Sequence, residues 1–249
     1  MGRYARLGIG ALAIVFGAAS VAVARHDPTG SFGGRSVRDT ILELTAGWSL
    51  AAAGLAFWAR RPRNRFGPLL TAAGLAWFLP EWSNPAVGSS LAFTFALMGV
   101  VACPPLVAHA ALAYPRGVIA SGLERGAVAF AYASAVGVLG LLSTLVFDPA
   151  AQGCLGCPAN AALVDADPGA FDASMRWGLR LGCASMVVLA LLIAWRLAHR
   201  VAPAAIAVPV LAPATLYVAL TAWALWHDLG AHVLANDTVE VRLDRKSVV

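Results

Sequence analysis

Charged side chains are rare in the apolar segments of this 249-residue chain, and a small group of titratable residues recurs at one depth. The members of this group are Glu43, Glu81, Arg180, His227 and Asp228. At a helical rise of about 1.5 Å per residue, they lie within roughly 6 Å of one boundary if the segments span a membrane. Charges at such depth tend to face the bundle interior and to pair with one another.

Two interpretations of this group stay open. In the first, Glu43 and Arg180 form a structural salt bridge, or Arg180 extends towards the membrane surface beside Trp177. In the second, Glu43 and Arg180 share a ligand-facing pocket with Glu81 or His227. Because the two charges have opposite sign and similar depth, we expect them to come within salt-bridge distance.

A second chemical signal is the C-x-x-C pair formed by Cys154 and Cys157. Such a pair can be a redox site, half of a zinc site or a local disulfide. The surrounding loop contains no second C-x-x-C and no His, so zinc would lack two ligands. The loop is expected on the outer, oxidising side of a membrane, which favours a disulfide and predicts no metal site.

Motifs for nucleotide binding and hydrolysis are absent from the sequence. It contains no G-x-x-x-x-G-K-[ST], no H-E-x-x-H and no G-x-S-x-G. The only Lys is Lys246, near the C-terminus, which argues against a retinal Schiff base within the apolar segments. We therefore predict no catalytic residue and no cofactor, and we expect that the chain alone neither binds ATP nor phosphorylates itself.

The composition indicates the class of protein that must position these residues. Hydrophobic residues make up 59% of the chain and charged residues 12%, whereas soluble domains are near 45–50% apolar and about 25% charged. The net charge is +5, but the Arg residues are dispersed between apolar blocks, which argues against a nucleic-acid partner. The chain is predicted to be a polytopic membrane protein whose main partner is the lipid bilayer.

Seven apolar blocks have about the length that crosses 30 Å of hydrocarbon. They are 7–24, 40–59, 66–82, 88–113, 126–147, 177–195 and 204–226. The alternation of a membrane barrel is absent, so the predicted fold is an all-α transmembrane bundle of seven spans. Pro104–Pro105, Pro209 and Pro213 are expected either to kink their helices or to be tolerated there.

The distribution of Arg predicts the orientation. With the N-terminus in the cytoplasm, the cytoplasmic segments hold 10 Arg and the outer segments hold five when residues 244–249 are left aside. The short loop Arg60–Arg65 contributes most. Ala22-Val23-Ala24 resembles a signal-peptidase site, so cleavage of the first block is an alternative. Residues 1–243 are predicted to form one sensor or input domain, and residues 244–249 resemble a non-native tail of a truncated gene.

Three stretches resemble the membrane-spanning input region of bacterial sensor histidine kinases from GC-rich genomes. They are Arg60–Leu79, Pro104–Gly117 and Cys154–Pro168, in the order and spacing of that family. The resemblance implies a homodimer in the bacterial plasma membrane that couples an outer or bilayer signal to a cytoplasmic kinase. No catalytic residue is carried over, because the phosphorylated His and the ATP-binding domain follow the membrane region in that family.

A transporter or permease-like membrane subunit is the alternative function. It would be indicated by an internal repeat or by paired broken helices near the midplane of the membrane. The four prolines favour it weakly, whereas the nearly charge-free midplane does not.

Overall fold

The structure, a computed structural model, describes residues 3–27, 31–154, 156–199 and 204–246. At position 3 and within 204–206 and 231–246 it describes the backbone alone. All regular elements in these ranges are helical. The helices are α1 (Arg3–His26), α2 (Val37–Arg60), α3 (Phe66–Ala76), α4 (Ser90–Gly99), α5 (Cys103–Ala113), α6 (Gly122–Val146), α7 (Pro168–Ala198) and α8 (Ala204–Lys246).

Three further segments complete the secondary structure. Two 3₁₀ turns, Leu79–Ser83 and Pro85–Val87, follow α3, and α6 contains a π-helical segment, Ala133–Leu142. Below, the Arg-rich end of the bundle is the end formed by residues 60–65, 114–125 and 196–199. The loop end is the opposite end, formed by residues 31–36 and 147–167.

Five helices are long and apolar enough to cross a membrane. They are Tyr4–His26, Val37–Arg60, Gly122–Val146, Pro168–Ala198 and Ala207–Gly230. A sixth crossing results if α4 and α5 together count as one. The helices therefore indicate a multi-pass membrane protein with five or six candidate spans, and the predicted third span, 66–82, is not among them.

The third block is not one long helix because α3 ends at Ala76. Its 11 residues cover about 16 Å, roughly half of the hydrocarbon thickness. Pro80 lacks a backbone N–H, and its ring would clash with the carbonyl of Ala76 in a continued α-helix. The chain instead continues into the 3₁₀ turn Leu79–Ser83, which carries Glu81.

The fourth block is broken where the sequence predicts a kink. Helices α4 and α5 meet at an angle of 48° across residues 100–102. Pro104 and Pro105 occupy the first turn of α5, where a missing N–H costs no hydrogen bond. The prolines of α8 do not interrupt their helix in the same way. Helix α8 continues through Pro209 and Pro213.

Helix α7 begins earlier than the sequence predicts. Asp167 caps it by accepting a hydrogen bond from Ala170 N at 3.0 Å, and Pro168 fills the first helical position. The helix therefore starts nine residues before the predicted boundary at Trp177. Arg176, expected in the loop, lies within the helix.

Small residues bring α2 and α3 into backbone contact. A Cβ on Gly54 would lie 2.5 Å from Thr71 N, and a Cβ on Gly74 would lie 2.5 Å from Ala51 N. Close approach through glycine is a common way to pack helices in membranes, where burial of apolar area drives association weakly. This contact fixes the position of α3 and hence of the turn that carries Glu81.

The largest interface joins α7 to α8, and its side chains form the main core. Met186, Leu189, Ile193 and Val218 are fully buried there. The outward faces of the same helices carry large exposed apolar side chains. Examples are Leu191, Leu216, Leu220 and Trp223. An apolar exterior around an apolar core is typical of a protein surrounded by lipid.

Candidate functional site

Two buried carboxylates lie side by side at the loop end of the bundle. Glu43 is in the second turn of α2, and Glu81 is in the 3₁₀ turn after α3; their exposed fractions are 4% and 3%. Both flank Gly33: a Cβ built there would lie 3.4 Å from Glu43 Cγ and 3.6 Å from Glu81 Oε1. The structure thus brings together two of the five residues selected from the sequence.

Local hydrogen bonds hold the Gly33 segment against the pair. Gly33 N donates to Glu81 Oε1 at 3.1 Å. The Thr40 hydroxyl donates to Gly33 O at 2.6 Å, and it also contacts Ser36 O at 3.0 Å. Ser36 in turn caps α2 by accepting from Asp39 N. The N-terminal turn of α2 and the residues before it therefore form one side of the carboxylate site.

Neither carboxylate has a cationic partner within 4 Å among the described residues. Glu81 Oε2 is fully buried and makes no hydrogen bond. Trp77 Nε1, which lies near the Glu43 carboxyl group, is also buried without a hydrogen bond of good geometry. Buried polar atoms are nearly always satisfied, so the unpartnered Glu81 Oε2 indicates a place for a further group.

Two residues extend this site towards the centre of the bundle. Cys103, the first residue of α5 after the break, and Tyr217 of α8 face each other, and both lie near Glu43. The Tyr217 and Trp77 rings have centroids 6.0 Å apart and an interplanar angle of 45°. Glu43 thus lies near two aromatic rings and the broken helix.

Trp77 and Tyr217 also form one end of an apolar cavity of about 540 Å³. Helices α2 and α8 form its walls, and α3 and α5 form its floor. Its other end is lined by Phe57 and Phe66 near the Arg-rich end. Exposed Ala53 on α2 and exposed Pro213 on α8 mark its opening towards the surrounding lipid.

Arg180 does not join the carboxylates, so the predicted Glu43–Arg180 salt bridge is wrong. Its side chain is exposed, and its guanidinium lies 5.3 Å from the centre of the Trp177 ring, three residues earlier on the same face of α7. An Arg near a membrane boundary can place its charge in the interface while its stem covers apolar surface. The exposed Arg180 beside Trp177 is the arrangement expected for a snorkelling side chain.

His227 and Asp228 also stay outside the carboxylate site. His227 Nδ1 and Asp228 Oδ1 are 4.0 Å apart, and the side chains are 71% and 66% exposed. Asp228 lines a second cavity of about 300 Å³, together with Ser143 and Phe147 of the α6 end. The expectation that His227 shares a pocket with Glu43 is not met.

A buried ion pair at the Arg-rich end was not predicted. Arg196 Nε donates to Glu124 Oε1 at 2.6 Å, and Arg196 Nη2 donates to Glu124 Oε2 at 2.8 Å. Arg196 Nη1 also donates to the backbone carbonyls of Leu112 and Tyr114. Both residues flank apolar blocks at the same end and have opposite sign, which is the only sequence signal for the pair.

The loop before α7 is fixed by covalent and hydrogen bonds. Cys154 and Cys157 are joined by a disulfide, with Cα atoms 5.5 Å apart. Asn160 Nδ2 donates to Thr144 O at 2.6 Å and to Phe147 O at 2.8 Å. Asn160 Oδ1 accepts from Ala162 N, and the Thr94 hydroxyl accepts from Ala161 N. These bonds attach the loop to α4 and to the end of α6.

No group of three His, Cys, Asp or Glu side chains suited to a metal ion occurs in the described part of the chain. Comparison with known proteins found no matching family model, no similar curated protein and no similar solved structure.

Proposed function

We propose that this chain is the membrane-embedded signal-input region of a bacterial sensor histidine kinase in the plasma membrane. The observation that carries the proposal is a contact between two of the stretches that resemble this family, Arg60–Leu79 and Pro104–Gly117. Asn64 Nδ2 of the first donates to Pro115 O of the second at 2.8 Å. The Phe66 and Tyr114 rings, also one from each stretch, have centroids 5.2 Å apart.

This contact continues into α7 through the buried ion pair. Arg196 binds the Leu112 and Tyr114 carbonyls and also holds Glu124 at the start of α6. The Arg-rich end is thus one hydrogen-bonded unit of four chain segments. Helix α2 connects it directly to Glu43 at the loop end, so a change at the carboxylates has a rigid path to the proposed cytoplasmic side.

We also propose seven traverses with the N-terminus in the cytoplasm. Asn64 contacts Pro115 at the Arg-rich end, whereas Asn84 Nδ2 donates to Asp27 O, just after α1 ends, at 2.7 Å. The segment between them therefore runs from one end of the bundle to the other, although α3 is short. The Arg bias favours this orientation. Under this orientation, an impermeant thiol reagent should label a Cys at the exposed position 165 but not at the exposed position 63 in intact cells.

The proposed function is tested with chimeras in which residues 1–243, a returning membrane helix and a characterised histidine-kinase core are joined in several helical registers. We expect autophosphorylation in membrane vesicles to change several-fold when Asn64→Ala breaks the contact with Pro115. The matched control is Arg63→Ala, an exposed side chain next to Asn64 in the same loop. Equal phosphorylation of wild type and Asn64→Ala in every register would contradict the proposal.

One observation favours a transporter as the second candidate. The break between α4 and α5 lies in the same region of the bundle as buried Glu43, and broken helices near intramembrane charges are typical of secondary transporters. Proteoliposomes containing the chain alone distinguish the two functions. Cation uptake that depends on Glu43 would support transport, whereas an input region produces none.

A further inference from the structure

We propose that the Glu43–Glu81 pair and the adjoining apolar cavity bind an amphipathic cation, a long-chain amine or ammonium compound. Its charged head would contact the two carboxylates, and its hydrocarbon chain would occupy the cavity between α2 and α8. This inference supplies a ligand class for the proposed input function. Binding is measurable without a kinase, so the two proposals fail independently.

The head group follows from the charge at the site. Two carboxylates with exposed fractions of 4% and 3% share one location, and no described cationic side chain lies within 4 Å of either. A primary ammonium group offers three N–H donors and one positive charge. It would therefore satisfy the buried Glu81 Oε2, which makes no hydrogen bond in the structure.

Aromatic side chains add to the recognition of a cation. The Trp77 and Tyr217 rings stand 6.0 Å apart, and both lie near Glu43 while also lining the cavity. Alkylammonium cations bind well to the faces of Trp and Tyr rings, particularly when water is excluded. The two rings thus lie between the carboxylates, which would bind the charged head group, and the apolar cavity, which would hold the hydrocarbon chain.

The site for the hydrocarbon chain of the ligand follows from the shape and lining of the cavity. Its volume of about 540 Å³ lies within the usual range for small-molecule sites. Apart from Ser49, Trp77 and Tyr217, all its lining side chains are hydrocarbon. The exposed positions Ala53 and Pro213 at its opening allow entry from the bilayer, where an amphipathic amine would be concentrated.

Other ligand classes fit less well. A fatty acid would place a third carboxylate beside Glu43 and Glu81, and a neutral chain would leave both acids uncompensated. A tightly held transition metal would require further ligands, and the described residues hold no group of three His, Cys, Asp or Glu side chains. Charge complementarity therefore selects the cationic amphiphile.

The test uses the purified full chain in nanodiscs and three probes of equal length: dodecylamine, dodecanol and dodecanoate. We expect wild type to bind dodecylamine more tightly than either of the others. Glu81→Gln keeps the oxygen that accepts from Gly33 N and removes the charge, so dodecylamine affinity should fall by about tenfold while dodecanol affinity stays unchanged. Asp165→Asn, an exposed carboxylate at the same end, is the matched control and should change neither affinity.

A second variant tests the site for the hydrocarbon chain and leaves both carboxylates unchanged. Ala53→Phe narrows the cavity from an exposed position on α2, so the protein should still fold. In wild type, affinity should rise from butylamine to dodecylamine, and Ala53→Phe should remove most of that rise. Equal binding of dodecylamine and dodecanol by wild type, or unchanged dodecylamine affinity in Glu81→Gln, would overturn the proposal.

Discussion

Buried carboxylates occur at both ends of this bundle, but only those at one end have a cationic partner among the described residues. At the Arg-rich end, Glu124 is held by two hydrogen bonds from Arg196, whose Nη1 also donates to two backbone carbonyls. At the loop end, Glu43 and Glu81 lie together without a described cation, and Glu81 Oε2 has no partner. A compensated carboxylate is part of the scaffold, whereas an uncompensated pair points to a missing ligand.

The largest effect should come from breaking the compensated pair. Arg196→Ala leaves Glu124 buried without its partner and also releases the carbonyls of Leu112 and Tyr114. We expect a loss of about 3–5 kcal/mol in the free energy of unfolding. Reversible unfolding in mixed dodecylmaltoside and dodecyl sulfate micelles measures it.

A double change provides the control for this experiment. In Arg196→Met with Glu124→Gln, no charge is left uncompensated, so the loss should be clearly smaller than in Arg196→Ala. If the single and double variants lose equal stability, the ion pair is not the reason that the Arg-rich end is held together.

Two of the three Arg residues of α7, Arg180 and Arg196, show what can and cannot be predicted from this sequence. Hydropathy places Arg180 and Arg196 at opposite ends of one helix, and that placement is correct. It does not say which side of the helix each side chain occupies, because apolar residues surround a membrane helix on every side. The pairing of Glu43 with Arg180 was therefore wrong, and the pairing of Glu124 with Arg196 was missed.

The course of the chain near Glu81 shows a similar limit. The sequence predicts a similar level for Glu43 and Glu81 from the distance of each residue to the end of its apolar block, and the structure brings the two residues together at the loop end. The early end of α3 could have been inferred from Pro80, since a proline at that position prevents a continuous helix. The contact of both carboxylates with the Gly33 segment could not be inferred from the sequence. It depends on long-range packing of α2 against α3 through glycines.

The next effect concerns how the loop end is held without an ion pair. Asn160 donates to the carbonyls of Thr144 and Phe147 from a side chain that is 8% exposed. In Asn160→Asp these donors are lost and a carboxylate faces both carbonyl oxygens. We expect a loss of about 2–3 kcal/mol and faster proteolysis of the 148–167 loop.

The neighbouring position Asp165→Asn serves as a control, since this exposed side chain lies in the same loop. Its stability and proteolysis should match wild type. If Asn160→Asp is as stable as wild type, the disulfide alone positions the loop.

A smaller effect of opposite sign is expected at the uncompensated pair. Glu81→Gln keeps the Gly33 N–H bond through the amide oxygen and removes one of two adjacent buried charges. Without added amine, we expect the free energy of unfolding to stay equal or to rise by about 1 kcal/mol. A loss of stability like that of Arg196→Ala would mean that Glu81 already has a cationic partner, and the contrast between the two ends would disappear.

The smallest effect is expected from Arg180→Ala, the same substitution at the opposite end of α7 from Arg196. The Arg180 guanidinium is exposed and contacts the Trp177 ring at 5.3 Å. An exposed cation–π contact contributes about 0.5–1 kcal/mol, so the free energy of unfolding should fall by no more than that. Trp177→Leu should remove the same contact, and the double variant should then lose little more than either single variant. A loss comparable to that of Arg196→Ala, together with restored stability in Arg180→Ala with Glu43→Gln, would instead show that Arg180 neutralises Glu43. The proposed ligand site would then be a salt bridge. The comparison of Arg180→Ala with Arg196→Ala therefore distinguishes a structural ion pair from a carboxylate site that is open to a ligand.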